Sequence, residues 1–484
     1  MPARPAFIRT FANRNREVDS SQPWFAAQCV RREPSARNPG CSIGRRQLSP
    51  EGVLLISQNE EVPQWTFPVA GSKPCADSDL RHESALHTSR FRAMAQYPHQ
   101  LIRRFEQLVR RDPASRGLIG GDGSGPGIGE LLPAAEMFSE PGGVVGIVTG
   151  FFIPHRLPLH RLPAGGRTLS TGQVTSGEFS EFGSAETDGP PGAAVLAAVL
   201  AELGFTPRII TDEACRPVVE EAARSVGLPA EAVTVGPMGP GAGQWWVGQR
   251  VVEKWAAGLT HLVAIERVGP SHHRESIGRN DPEAVQSGDF ERNVPETAFG
   301  RCFNMRGEAI DHFTAALHEL FPDDAVDCPE IGNCGNSSEA VSRNLAGEVS
   351  QKGPLPRVAT VGVGDGGNEI GMGRFAWSML RRRIRGPAAA HIPCRIATDR
   401  TIVAGTSNLG AYALAASIAA LHQRIDALRE HSCAAQQAML GRLVVDAGAV
   451  DGVTRRPEPT VDGVPFVAGI QPWACIRREL GLPE

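Results

Sequence analysis

Four short stretches concentrate residues able to do acid–base or metal chemistry. "ETDGPPGA" holds Glu186, Thr187 and Asp188 ahead of a Gly-Pro-Pro-Gly turn, and "IERVG" holds Glu266 and Arg267. "GVGDGGNEIGMG" sets Asp365, Asn368 and Glu369 among glycines, and "ATDRTIVAGTSNLGAYAL" carries Asp399, then Thr406, Ser407 and Asn408. Grouped carboxylates can bind a hard cation, or hold and move protons.

The third stretch has a second reading. Gly362, Gly364 and Gly367 fit the G-x-G-x-x-G of a dinucleotide loop. Asp365, however, follows the second glycine, where backbone must approach an anionic pyrophosphate, and "RRRIRG" lies downstream instead of an isolated ribose-binding acid. Capping is the simplest alternative: Asn368 could be an N-cap, with acids favoured near a helix N-terminus. "ETDGPPGA" could likewise be a cap and a rigid turn. Thr406 to Asn408 could cap a helix and offer free N–H groups to an anion. His272 and His273 sit in a polar stretch without His-x-x-x-His spacing, so they are expected to be solvated rather than ligating.

The elements that must position these loops alternate. "PHQLIRRFEQLVRRD" puts Leu101, Ile102, Phe105, Leu108 and Val109 on one helical face. Strand "GGVVGIVTGFF", helix "GAAVLAAVLAELG" stopped by Gly204, strand "TPRIIT", helix "EACRPVVEEAARSVG" and strand "AVTVG" follow. Then come helix "QWWVGQRVVEKWAAG", strand "THLVAIERVG", a helix over 308–320, strand "RVATVGVG" and the long helix "SNLGAYALAASIAALHQRI". The alternation predicts an α/β fold, a mostly parallel sheet with helices on both faces in Rossmann-like layers. Polar insertions are expected at about 155–185 and 270–300.

Residues 1–93 lack this regularity and read as a poorly ordered N-terminal extension, a disordered leader or sequence upstream of the true start. Their Arg-rich, acid-poor opening is also what a transit peptide shows. The expected compartment is therefore cytoplasmic, of bacterial type, or the mitochondrial matrix if that segment is a targeting signal. Residues 94–450 form the expected α/β domain, and 451–484 a tail with a short helix.

Composition excludes several classes. The 484 residues are 41% hydrophobic and 21% charged with net charge −4, which gives no reason to expect a nucleic-acid or membrane partner. The lysines are Lys73, Lys254 and Lys352; none stands in a Gly-Lys-Ser/Thr loop or looks like a pyridoxal-phosphate lysine, so neither that cofactor nor NAD is expected. Ten cysteines lack paired spacing and read as free thiols.

In order, "GIVTGFFIP", "ETDGPPGA", "IERVG", "FNMRGEAI", "GVGDGGNEIGMG" and "AGTSNLGAYALA" resemble the D-glutamate cyclase C-terminal domain over roughly residues 95–430. The resemblance implies a hydro-lyase converting D-glutamate to 5-oxo-D-proline and water, with a glutamate-like amino acid as its small-molecule partner. It departs from the family at "SNLG", where an aromatic is expected after the Asn, and at the C-terminal end, where only "VDG" is recognisable.

That chemistry needs a base for the ammonium and a positive group for the γ-carboxylate. Four converging acids would repel a dicarboxylate unless a divalent cation, Mg²⁺ or Mn²⁺ by its hard oxygen ligands, joined them. The expected metal ligands are Asp188 and Asp365, with Asn368. Glu369 or Glu266 is the expected base, with Asp365 also catalytic. Thr187, Arg306, Thr406, Ser407 and Asn408 are expected to bind substrate. A different metal-dependent enzyme, such as a phosphoesterase, and a nucleotide- or amino-acid-binding module remain the alternatives; the sequence is silent on oligomeric state.

Overall fold

The computed structural model divides into two units, Met1–Pro74 and Cys75–Glu484. The described residues are 98–158, 179–236, 258–311, 317–321 and 358–483, all in the second unit. The expected leader and the expected helix over 244–258 fall outside them, apart from Gly258.

Short β-branched runs make the sheet. Strands β1 (Val144–Thr149), β4 (Thr206–Asp212), β5 (Val233–Gly236), β6 (Leu259–Ile265), β7 (Ala359–Gly364) and β8 (Arg400–Val403) pair in parallel in the order β5-β4-β1-β6-β7-β8. Strands β2 (Phe152–Pro158) and β3 (Phe179–Ala185) form a separate antiparallel pair inserted after β1. With that pair set aside, the order is that of a doubly wound sheet whose direction of winding reverses between β1 and β6. The crevice beyond the carboxyl ends of those two strands is where such sheets bind ligands.

Two helices on one face are apolar all round because both of their sides are covered. Helix α3 (Pro190–Glu202) and helix α9 (Ser407–Leu421) pack on each other and on the sheet, with Val195, Leu196, Leu414 and Ile418 fully buried. Small residues let them meet: a Cβ on Gly192 would lie 2.8 Å from the Ala411 Cβ. Helix α1 (Pro98–Val109) and helix α2 (Leu131–Glu136) cover α9 from outside, and α1 buries Ile102, Phe105 and Val109 as its periodicity predicts. Helix α4 (Arg216–Ser225) lies beside α3, while Leu380 of helix α8 (Trp377–Arg383) belongs to the core on the opposite face.

Three expectations change. Residues 270–300 are not an irregular insertion: α5 (Arg274–Asn280), α6 (Pro282–Gln286) and α7 (Asp289–Asn293) pack Ile277, Ala284 and Phe290 around Trp377. His272 is buried there, and His273 caps α5. The helix expected over 308–320 does not begin at 308: Ala309 bridges to Phe303, Leu317–Leu320 form a 3₁₀ turn, and 312–316 lie outside the described residues. In residues 451–484, expected as a tail with a short helix, the hairpin of β9 (Thr460–Val461) and β10 (Val464–Pro465) reaches the sheet's carboxyl edge, and helix α10 (Gln471–Glu479) packs fully buried Trp473 and Ile476 against the α9 layer.

Candidate active site

Five buried carboxylates converge at the carboxyl edge of the sheet: Glu186, Asp188, Glu266, Asp365 and Asp462. Four chain segments deliver them. Glu186 and Asp188 follow β3 and enter α3; Glu266 ends β6 with a left-handed φ of 45°; Asp365 ends β7. Asp462 is at the tip of the β9–β10 hairpin. Its φ of 56° and the 76° of Gly463 are those of a two-residue type I′ turn, for which Asp-Gly is the favoured sequence. The loops meet closely at Gly189 (φ 93°), where a Cβ would lie 2.7 Å from the Glu266 Cβ.

The N-terminus of α9 holds this cluster together. The Ser407 amide donates to Asp188 Oδ2 at 2.8 Å and to Asp365 Oδ2 at 3.0 Å, while the Asn408 amide donates to Asp188 Oδ1 at 2.7 Å. The Ser407 hydroxyl donates to Glu266 Oε2 at 2.5 Å. These are the free donors and positive dipole end that a helix start supplies. Oxygens of Asp188, Glu266 and Asp365 all lie within 4.8 Å of one another.

One guanidinium faces the group. Arg116 ion-pairs with Asp365 through one terminal nitrogen and with Asp462 through the other. Its turn is aimed by Asp112, whose carboxylate accepts from the Arg116 amide at 2.9 Å and the Gly117 amide at 2.7 Å. Arg110 steadies the same loop by donating to the Pro126 and Val403 carbonyls.

One guanidinium does not balance five buried acids, and proton affinities shift accordingly. Burial, reinforced by Glu369 and Asp188, pushes Glu266 well above the usual carboxylate range. Burial and the neighbouring Glu266 do the same to Glu186. Asp365 is raised by burial against the opposing pull of Arg116. Asp462 is raised to about 7, by burial first, again with Arg116 opposing.

A carboxyl raised in the folded state binds a proton that the unfolded chain releases, so its stabilisation is complete at acid pH and lost as pH climbs through the folded value. Metal-free protein is therefore expected to lose stability between about pH 4 and pH 7, by about 1.4 kcal/mol per pH unit for each proton retained. Denaturant titrations should show Asp462→Asn flattening that slope. Comparing the two proteins cancels the opposite effect of His272, which burial holds down at about 3. Equal slopes would mean that Asp462 is ionised throughout.

Several expected residues do other work. Glu369 accepts from the Gly366 amide at 2.7 Å and the Gly367 amide at 2.8 Å, with Asp365 at 3.3 Å, so both its oxygens are spent on its own loop. It fills the anion nest of the glycine loop, which also removes the donors a dinucleotide phosphate would use. Asn368 donates to the Phe303 carbonyl at 2.8 Å and is not in the carboxylate triad. Thr187 donates to the Thr460 carbonyl at 2.7 Å, and Thr406 caps α9 by accepting from Leu409. The Asn408 side chain ties two helix starts together, accepting from Gly189 and Gly192 and donating to the Thr187 carbonyl. Arg306 is exposed and bound to the Val453 carbonyl, so it is not brought to the cluster; Arg116 is. Asp399 holds Thr360 at the start of β7, remote in register from the site edge.

The residues that sequence reasoning missed are Arg116, Asp462 and the positioning of Glu186. Arg116 is one arginine in an arginine-rich chain; the signal pointing to it is Asp112 four residues earlier, in "DPASRG". The signal for Asp462 is "VDG" between two short apolar pairs, a hairpin signature.

Fold and site together define a doubly wound α/β protein with a buried cluster of acids beyond the carboxyl ends of its strands. Residues 105–276 and 339–471 match the family described as D-glutamate cyclase-like, C-terminal. The chain belongs to that family. Over 334 residues it is 28% identical to the human protein named "D-glutamate cyclase, mitochondrial", a match covering 67% of this chain and 39% of that protein. The chain thus matches well under half of its relative's length. Among the described residues no helix is long and apolar enough to cross a membrane.

Proposed function

We propose that the protein is a hydro-lyase that cyclises D-glutamate to 5-oxo-D-proline. The observation that carries this reading is the meeting of Asp188, Glu266 and Asp365 at the α9 N-terminus, facing Arg116. In the reaction the amine nitrogen bonds to the γ-carboxyl carbon and a carbon–oxygen bond breaks. The ammonium gives up two protons, and both leave with that oxygen as water. The barrier has two parts: the amine must lose a proton, and the carboxylate must lose its charge.

Glu266 suits the proton transfers. Its proton affinity is raised above that of an ordinary carboxylate, so it takes a proton from nitrogen more readily and can return one to oxygen. Arg116 supplies preorganised positive charge; a preorganised donor of this kind is worth about 3–4 kcal/mol at a developing oxyanion. A folded substrate held in the cleft brings amine and carboxyl together, which supplies proximity.

The donor set also fits a hard divalent cation. All three candidates, Asp188, Glu266 and Asp365, offer carboxylate oxygens. Asp188 and Asp365 would hold Mg²⁺ or Mn²⁺, leaving Glu266 for the proton transfers, and the cation would supply Lewis-acid neutralisation of a carboxylate.

The test is incubation with D- and L-glutamate, with 5-oxoproline followed by chiral chromatography, before and after chelation. Conversion of the D form, lost on chelation and restored by Mg²⁺ or Mn²⁺, is expected. No product from either enantiomer overturns the reaction; undiminished turnover after chelation removes the cation alone.

A further inference from the structure

Among the site's carboxylates, two differ from the rest in what they touch. Asp188 accepts from three backbone amides, counting Gly189; Asp365 accepts from Ser407 and pairs with Arg116; Glu266 accepts from Ser407. Glu186 and Asp462, only 4% and 3% exposed, each keep one oxygen that meets no donor, Oε1 and Oδ2 respectively. Buried acceptors without donors are rare and costly, so their presence marks a place where a partner is supplied from outside.

The two residues are built into one structure. Glu186 bridges to Val450, the Thr187 amide donates to the Val450 carbonyl, and the Thr187 hydroxyl donates to the Thr460 carbonyl. Asp451 then fixes the loop: it accepts from the Val453, Thr454 and Gly463 amides and from the Thr460 hydroxyl. Gly452 leaves room for the Glu186 carboxylate, since a Cβ there would lie 2.0 Å from its Oε2. The Asp462 carboxyl also acts electrostatically on that of Glu186.

We infer that Glu186 and Asp462 form an ammonium subsite, so that the cleft selects substrates carrying a free primary amine. This rests on the reaction proposed above and adds the part of the site that reads the amine. A primary ammonium brings three N–H donors and a positive charge to two bare carboxylate oxygens, whereas a carboxylate or phosphate brings neither. The α9 amides and Arg116 are engaged by Asp188, Asp365 and the first oxygen of Asp462, which leaves the Glu186 Oε1 and Asp462 Oδ2 atoms for the amine. The amine end owes half its chemistry to the C-terminal hairpin.

The experiment compares D-glutamate with glutarate and D-2-hydroxyglutarate, which keep both carboxylates and lack the amine. Binding is measured by calorimetry on wild type, Glu186→Gln, Asp462→Asn and Gly452→Ala, with folding checked by circular dichroism. Gly452→Ala retains both carboxyl groups in the sequence and displaces only that of Glu186. Wild type is expected to favour D-glutamate over both analogues by roughly tenfold or more. Each variant is expected to weaken D-glutamate by a similar factor while glutarate binds as before or more tightly. Equal weakening of D-glutamate and glutarate in folded variants, or no preference in wild type, overturns the subsite. Wild type that binds D-glutamate with this preference yet forms no 5-oxoproline overturns the proposed reaction and leaves the subsite standing. Wild type that does not bind D-glutamate overturns both.

Discussion

Arg116→Met is expected to cost about 3–5 kcal/mol of stability at pH 8, because it removes the guanidinium and leaves its acid partners buried. Arg116 pairs with Asp365 and Asp462 at once, and its side chain is 12% exposed against 1% for each acid, so solvent screens little of the loss. Met fills a similar volume, which keeps packing loss small relative to the electrostatic cost. The penalty should shrink at pH 5, where carboxyls with raised proton affinity are neutral in the folded state. Urea titrations at the two pH values read both numbers. Arg116→Lys retains charge but cannot fork to two carboxylates, and should fall between them. A variant as stable as wild type at pH 8 would show that the cluster is held by the α9 amides alone.

Asp365→Asn is expected to lower turnover by at least about 10²–10³-fold with the fold intact. The amide side chain can still accept from the Ser407 amide, so the helix start keeps a partner. What it loses is the charge that fixes Arg116 and that would help hold a cation. Thermal melting with and without Mn²⁺ provides a second readout: a cation-dependent rise in wild type should be absent in the variant. Wild-type turnover in Asp365→Asn would remove this residue from the chemistry.

How much of this could be seen in the chain alone depends on the range of the interaction. The alternation of strands and helices is local, and the parallel sheet follows it closely; even the stops at Gly204 (φ 87°) and Gly227 (φ 78°) are as the sequence implies. Asp188, Glu266 and Asp365 were legible because each follows a strand at the same edge. Glu369 was legible as an acid but not as a cap, since backbone direction inside a glycine loop decides where its oxygens go. Asn408 carried the same ambiguity, and its side-chain oxygen accepts from two amides at the start of α3, more than 200 positions upstream. Arg116 and Asp462 come from loops 346 positions apart in the chain, and no periodicity reports a contact of that length.

The β9–β10 hairpin also bears on how the protein acquires its site. The sheet, its two buried helices and the triad of Asp188, Glu266 and Asp365 are complete in sequence by α9, while Asp462 is contributed from the chain's last stretch. Pairing that distant carries a large loop-closure cost and is slow to form. During synthesis the cleft would exist first as an open acidic notch, its guanidinium paired on one side only. Only the docking of that hairpin closes the ring of charge, so completion of the site trails formation of the sheet.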